Sequence, residues 1–332
     1  MGDTASPAPT AVPPQPPAEG EFAQWRLGAL FLISVLGLFL ELLLIRWIGT
    51  EIRIFAYLQN TVLVVCFLGL GMGCLDSRRT FSLRSMLVPL LLLSALLAVP
   101  TTRIFLGPRI TELLGKMGGL EFWGSDESTG WEFIAAAVLG LSLTAGFLYL
   151  LWATFVPVGR LLGRLMADDP RPIRAYSVNV AGSLIGIWLF VACSALSLPP
   201  VGWFAAFALP ALLLLGTGGK SKLGDAAMLA GIVGLGAVAG IEPGWRETHW
   251  SPYQKLCVSA REDTIESSIW VRMGTRLPFW DNASGSHLIA VNNVGYQSTV
   301  NLQPEYIAAH PEEFRKPEQD GKLPPDLTGY AI

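Results

Sequence analysis

Long apolar runs separated by short polar breaks fill the first 241 residues, after which the pattern changes. A helix crossing about 30 Å of hydrocarbon needs about 20 apolar residues. Six runs approach that length: Leu27–Trp47, Ile54–Leu75, Ser85–Pro100, Glu132–Phe155, Ile173–Leu196 and Val201–Leu215. A seventh, Asp225–Ile241, is shorter and Gly-rich. Trp25 and Trp47 bracket the first run, while Trp131 and Trp203 open the fourth and sixth, positions expected at the headgroup boundary. The 101–131 connection is too polar to span and predicts a short amphipathic helix on the surface. Beyond Ile241, Lys255–Ala260, Ser268–Met273, His287–Asn292 and Ser298–Leu302 are short runs expected as strands. From Gln303 onward the Pro, Glu and Lys content predicts an irregular end.

The expected fold class is therefore mainly α. A polytopic transmembrane bundle of about seven helices (25–241) follows a disordered Pro/Ala-rich N-terminus (1–24) and precedes a small β-rich polar domain (242–332). Composition agrees, with 52% hydrophobic and only 15% charged residues, where a soluble domain has nearer a quarter charged. Residues 1–24 lack the basic stretch and short apolar core of a signal peptide. The 242–332 segment holds 8 Lys/Arg against 12 Asp/Glu, an acidic balance that argues against nucleic acid as a partner.

Orientation follows from the Lys/Arg of the short loops. With the N-terminus inside, Arg26, Arg78, Arg79, Arg84, Arg160, Arg164, Arg171, Arg174, Lys220 and Lys222 lie on the cytoplasmic side, ten in all. Five, Arg46, Arg53, Arg103, Arg109 and Lys116, lie on the other. An odd helix count then puts the polar tail opposite the N-terminus, in what is expected to be a bacterial cytoplasmic (inner) membrane.

Candidate chemistry is sparse. The three histidines, His249, His287 and His310, are too widely spaced to suggest a metal site. Cys66, Cys74, Cys193 and Cys257 form no C-x-x-C pair. Inside the first run, Glu41 stands five residues before Arg46, and an ionisable group in a spanning helix is a functional hypothesis by default. With no second buried acid or histidine to form a relay, Glu41 and Arg46 read as structural. Asn179 in the fifth run reads as interhelical glue. Gly69 and Gly73, Gly182 and Gly186, and Gly236 and Gly240 have the spacing that lets helix backbones approach closely. The Gly69-Leu-Gly-Met-Gly73 string ends an apolar helix and lacks the Lys-Ser/Thr of a phosphate loop, so it is not read as a nucleotide site.

Several stretches together resemble one family. Glu41-Leu-Leu-Leu-Ile-Arg-Trp-Ile-Gly-Thr-Glu-Ile-Arg-Ile-Phe-Ala-Tyr57, Gln59-Asn60, Phe67-Leu-Gly-Leu-Gly-Met-Gly73, Ala175-Tyr-Ser-Val-Asn-Val-Ala-Gly-Ser-Leu-Ile-Gly186 and Trp250-Ser-Pro-Tyr-Gln-Lys-Leu256 look like the membrane region of membrane-bound spermidine synthase-like proteins. The resemblance implies that Gln254 matches a glutamine contacting decarboxylated S-adenosylmethionine, and that Tyr296-Gln297 matches a pair closing over polyamine and donor. In this sequence Asn292-Asn293 stands where the family has an Asp-Gly turn. The Gly-rich loop and catalytic aspartates of such synthases find no match through Ile332, so aminopropyl transfer is not expected of these residues alone. No catalytic residue is assigned, and no cofactor is expected unless a catalytic half lies elsewhere.

Two main functions stay open. The chain is either a non-catalytic module that anchors or scaffolds a larger membrane complex, with lipid and other membrane subunits as partners, or the membrane half of an aminopropyltransferase completed by another chain. A small-molecule transporter is a lesser alternative, resting only on Glu41 and Asn179. In the scaffold reading Trp245, Trp250, Trp270 and Trp280 supply interface anchors; alternatively, the tail folds back on its own helices.

Overall fold

The computed structural model describes residues 19–79, 81–117, 131–216, 222–242, 247–260, 287–299, 303–309 and 311. These residues are mainly helical. In chain order the helices are α1 (Glu19–Glu51), α2 (Arg53–Tyr57), α3 (Gln59–Leu75), α4 (Leu83–Ala98), α5 (Pro100–Met117), α6 (Trp131–Ala167), α7 (Pro172–Ala195), α8 (Pro200–Gly216), α9 (Lys222–Ala239) and α10 (Pro304–Ala309). The strands are β1 (Glu247–Trp250), β2 (Lys255–Ala260), β3 (His287–Val291) and β4 (Val294–Thr299). Each of the seven expected apolar runs is helical, the second being broken at Leu58 between α2 and α3. By length and composition four segments suffice to cross a membrane: Trp25–Glu51, Ala137–Ala167, Pro172–Ala195 and Lys222–Ala239. The bent pair α4–α5 makes a fifth if counted as one span, while α3 and α8 are apolar but shorter.

The most buried long helix is α1, apolar around its whole circumference and covered by α3, α6, α7 and α8. Two of the glycine pairs explain close helix approaches, one bringing α7 onto α1 and the other α3 onto α6. A Cβ at Gly182 or Gly186 would meet the α1 carbonyl oxygens of Phe31 and Val35 at 2.7 and 2.5 Å, and Gly69 and Gly73 abut the backbone of α6 between Trp152 and Arg160. In the third pair only Gly236 faces another helix, against Phe204 and Val201 of α8, and Gly240 meets its own helix end. At the end of α7 the Ser197 amide donates to Ser194 O and the Leu198 amide to Cys193 O. Ser197 has a φ of 54°, so this is a Schellman stop just before Pro199 and Pro200.

Contacts sort the helix ends into two faces. At the first, Arg26 of α1 lies 3.1 Å from Asp168 after α6, Asp76 after α3 lies 2.7 Å from Arg160 of α6, and Arg84 opening α4 lies 3.1 Å from Asp225 opening α9. At the second, Arg46 near the end of α1 donates to Ser194 at the end of α7, and Arg103 near the start of α5 donates to Ala239 O at the end of α9 and to Ile241 O just after it. The seven long helices other than α5 thus alternate in direction between the two faces. The expected amphipathic segment is α5, which buries Ile110 and leaves Arg109 and Glu112 outside.

The sheet lies on the second face. It is antiparallel throughout, in the order β1-β2-β3-β4. Asn292 and Asn293, with φ of 49° and 65°, form a two-residue turn of the type whose twist suits a hairpin, so the chain re-enters the sheet at Val294. That corrects the expected strand Ser298–Leu302 to Val294–Thr299. Two asparagines tolerate the left-handed conformation that the turn requires. The expected strand Ser268–Met273 lies outside the described residues. Unexpected are β1 and the helical turn α10, which has Pro304 at its start and Glu305 in its first turn.

Candidate functional site

Where helices meet sheet, four charged side chains close on one another. Glu51 ends α1, Arg103 lies in α5, Glu242 follows α9 and Lys255 opens β2. Lys255 Nζ is 3.0 and 3.2 Å from the two Glu51 oxygens and 2.7 Å from Glu242 Oε1. Arg103 Nη2 donates to Glu242 Oε2 at 3.1 Å and to Ile241 O at 2.9 Å, its Nη1 donates to Ala239 O at 3.2 Å, and its Nε lies 3.7 Å from Glu51 Oε2. Asn293 of the hairpin turn donates to Glu51 Oε2 at 2.9 Å. The Lys255 and Glu51 side chains are fully buried and those of Arg103 and Glu242 nearly so.

Two acids and two bases make the quartet neutral. Buried charges are tolerable only when paired and hydrogen-bonded, and here each carboxylate has at least one cation within bonding distance. Burial acts to depress the Lys255 pKa, but Glu51 and Glu242 outweigh it and hold the ammonium above the ordinary lysine range. Two residues along, burial pushes the Cys257 thiol up to about 11. Asn292 completes the seam from the sheet side, its Oδ1 accepting from the Lys255 amide at 3.0 Å and its own amide donating to Lys255 O at 2.9 Å.

An aromatic stack lies beside the quartet. Arg46 sits 4.8 Å from the Trp203 ring centroid, Trp203 meets Trp250 edge-to-face at 5.0 Å, and Lys255 Nζ lies 5.6 Å from the Trp250 ring. Arg46 donates to Ser194 Oγ at 2.6 Å and to the Ser251 carbonyl in the loop between β1 and β2. Two sequence expectations change accordingly. Trp47 and Trp203 are completely buried instead of standing at the headgroup boundary: Trp47 packs edge-to-face on Phe204 of α8 at 5.1 Å, and Trp203 is covered by Trp250 of the sheet. Trp250 is likewise used internally, not offered to a partner.

The sequence-derived residues scatter around the seam. Glu41 is buried in the bundle, and its Oε2 has no hydrogen-bond partner among the described residues. Arg46 turns to Ser194 and Ser251 rather than to Glu41. Asn179 Oδ1 accepts from Ser34 Oγ at 2.8 Å, tying α7 to α1. Gln254 is exposed and belongs to a Ser-capped turn in which its amide donates to Ser251 Oγ at 2.9 Å. Tyr296 and Gln297 lie on β4, where Gln297 pairs with Ile289 and thus, through β3, aligns with Val258. Gln254 is therefore four residues along and two strands across from Gln297, about 15 Å by ordinary strand spacings. The structure does not bring the two glutamines together. Missed from sequence were Glu51, Arg103, Glu242, Lys255 and Asn293. Among the described residues no group of His, Cys, Asp and Glu is arranged to hold a metal ion.

Comparison of the chain with known protein families, curated proteins and solved structures gave no match.

Proposed function

We propose that the chain is a seven-crossing membrane module that carries a small sheet fixed to the face opposite its N-terminus, and that it anchors or scaffolds a larger membrane assembly without catalysing a reaction itself. The observation that carries this reading is the closed quartet. Its charges are engaged with one another, with Asn293 and with backbone carbonyls, an arrangement suited to holding two parts together. Seven crossings are supported by the alternation of helix ends between two faces, although α3 and α8 are short for the hydrocarbon core. A cytoplasmic N-terminus is supported by the ten-to-five Lys/Arg asymmetry.

Alkaline phosphatase fused after residue 332 is expected to be active, and a fluorescent reporter confined to the cytoplasm to stay dark there. The reverse pattern would mean an even number of crossings. Extraction in mild detergent, followed by native mass spectrometry, tests assembly. The expected result is a complex well above the 35.8 kDa of the chain that weakens when 242–332 is deleted. A monodisperse monomer unaffected by the deletion would remove the scaffold.

One observation favours the second reading, the membrane half of an aminopropyltransferase. Tyr253 and Gln254 of the Ser-Pro-Tyr-Gln turn stand exposed on the sheet. Binding of decarboxylated S-adenosylmethionine to the purified chain, lost in Gln254→Ala, would select it.

A further inference from the structure

The corner where α1, α6 and α7 meet on the first face carries more positive charge than it pairs. Arg26, Arg164 and Arg174 face Asp168 and Asp169, and Arg171 stands exposed beside them at the start of α7, four guanidinium groups against two carboxylates among the described side chains. Arg26 Nη2 lies 3.1 Å from Asp168 Oδ2, Arg164 Nε lies 3.9 Å from the same oxygen, and Arg174 Nη2 lies 3.1 Å from Asp169 Oδ2. Yet Arg26 Nη2 lacks hydrogen-bonding alignment, and Arg174 Nε has no acceptor among the described residues. Asp169 is already engaged by the Arg171 amide at 2.8 Å. The Arg171 side chain is exposed, with no acid partner among the described residues.

A helix also begins here. The first turn of α7 contains no acidic residue and its cap has no side-chain hydrogen bond, so its free amides add to the positive potential. The corner is flanked by exposed apolar side chains: Trp25 on α1, and Ile173 and Tyr176 on α7. A surplus of donors above an apolar flank suits an amphiphile with a phosphate head and acyl tails.

We propose that this corner binds the phosphodiester of an anionic phospholipid, with Arg171, Arg174 and Arg26 at the phosphate, Arg164 adding charge, and Trp25, Ile173 and Tyr176 along the upper acyl chains. A zwitterionic lipid fits less well, because its choline brings a positive charge to an already cationic corner. The site rests on the membrane-spanning reading.

The test uses the full chain in lipid nanodiscs of phosphatidylcholine, with and without phosphatidylglycerol, and native mass spectrometry of the retained lipid. Phosphatidylglycerol is expected to be retained in preference. Arg171→Gln and Arg164→Gln, both at exposed positions, should each weaken its retention by about fivefold, and Arg171→Lys by much less. Arg109→Gln, on the opposite face, should leave retention unchanged. Equal retention of the two lipids, or selectivity unaltered in the Arg171→Gln/Arg164→Gln pair, would overturn the proposal. Displacement of the lipid by millimolar inorganic phosphate would also overturn it, in favour of a soluble anion. A chain released from vesicles by alkaline carbonate would refute the membrane reading itself, whereas an integral chain without selectivity refutes only the lipid site.

Discussion

Replacing Lys255 by methionine tests the seam where it is most exposed to failure. The substitution keeps the length and apolar stem of the side chain while removing its charge. Glu51 and Glu242 then share Arg103 alone, and the neutral quartet becomes a net single negative charge in a dry site. Glu51 is the worse placed of the two, because Arg103 Nε is 3.7 Å away and only the Asn293 amide, at 2.9 Å, still donates to it. Breaking a buried pair by removing one partner costs about 3–5 kcal/mol, since the remaining charge stays uncompensated. Cys257 is a built-in reporter, buried on the same strand two residues away. Its labelling by a thiol reagent under native conditions requires the sheet to open, and with fast reclosing the rate follows the opening equilibrium. Lys255→Met should therefore speed labelling of Cys257 by roughly a hundredfold to a few thousandfold. Adding Glu51→Gln leaves Arg103 with Glu242, a neutral pair, and should restore about 1–3 kcal/mol of that loss. Acceleration below about threefold in Lys255→Met, or strictly additive effects in the double variant, would refute the quartet as what holds the sheet.

Other outcomes follow from the same geometry. The Lys255 ammonium is held above its ordinary pKa, so its stabilisation is fully present below about pH 10 and is lost as pH rises through the higher folded value. Cys257 labelling, corrected for thiolate fraction, should therefore show no Lys255-dependent loss of protection between about pH 7 and pH 9, with the loss appearing only at more alkaline pH. Gly186→Val would drive a side chain into the Val35 carbonyl and should cost about 1–3 kcal/mol of thermal stability in detergent; an unchanged melting temperature would contradict the close α1–α7 approach. Glu41→Gln keeps the shape of a side chain whose Oε2 has no partner, and should insert with stability within about 1 kcal/mol of the parent. Proton or polyamine flux through vesicles that Glu41→Gln abolishes would instead support a transporter.

The bundle was legible because long apolar runs announce helices, and all seven runs became helical, four of them in segments long and apolar enough to cross a membrane. The seam was not, and the reason lies in its residues. Glu51, Arg103 and Glu242 fall just outside apolar runs, where charges are ordinarily solvated, and their partners lie up to 204 positions away with no periodicity to link them. In β2 the pattern misleads directly. Lys-Leu-Cys-Val would be expected to turn Leu256 and Val258 inward, yet Lys255 and Cys257 are the fully buried pair. Trp47 and Trp203 misled in the same way, since an indole at a span's end is equally suited to a headgroup or to a covered seam. Asn292-Asn293 also hides the register it sets: with Ser298–Leu302 expected as the next strand the turn reads as a longer loop, whereas two residues already complete it and β4 begins at Val294.

A charged seam also accounts for how the sheet keeps its place. Apolar contact alone is non-directional, so several registers of sheet on bundle would bury similar area. The quartet is directional. Slipping β2 by one residue against the bundle would turn Lys255 away and set Leu256 against Glu51 and Glu242, since successive strand residues face opposite sides. Two carboxylates would then be left with one arginine, at a cost of the same order as removing the lysine. The Asn293 turn would miss Glu51 in the same slip, and the Ser251 carbonyl would leave Arg46. Three polar contacts, carried by the loop before β2, by β2 itself and by the β3–β4 turn, therefore select one register where hydrophobic area would accept several.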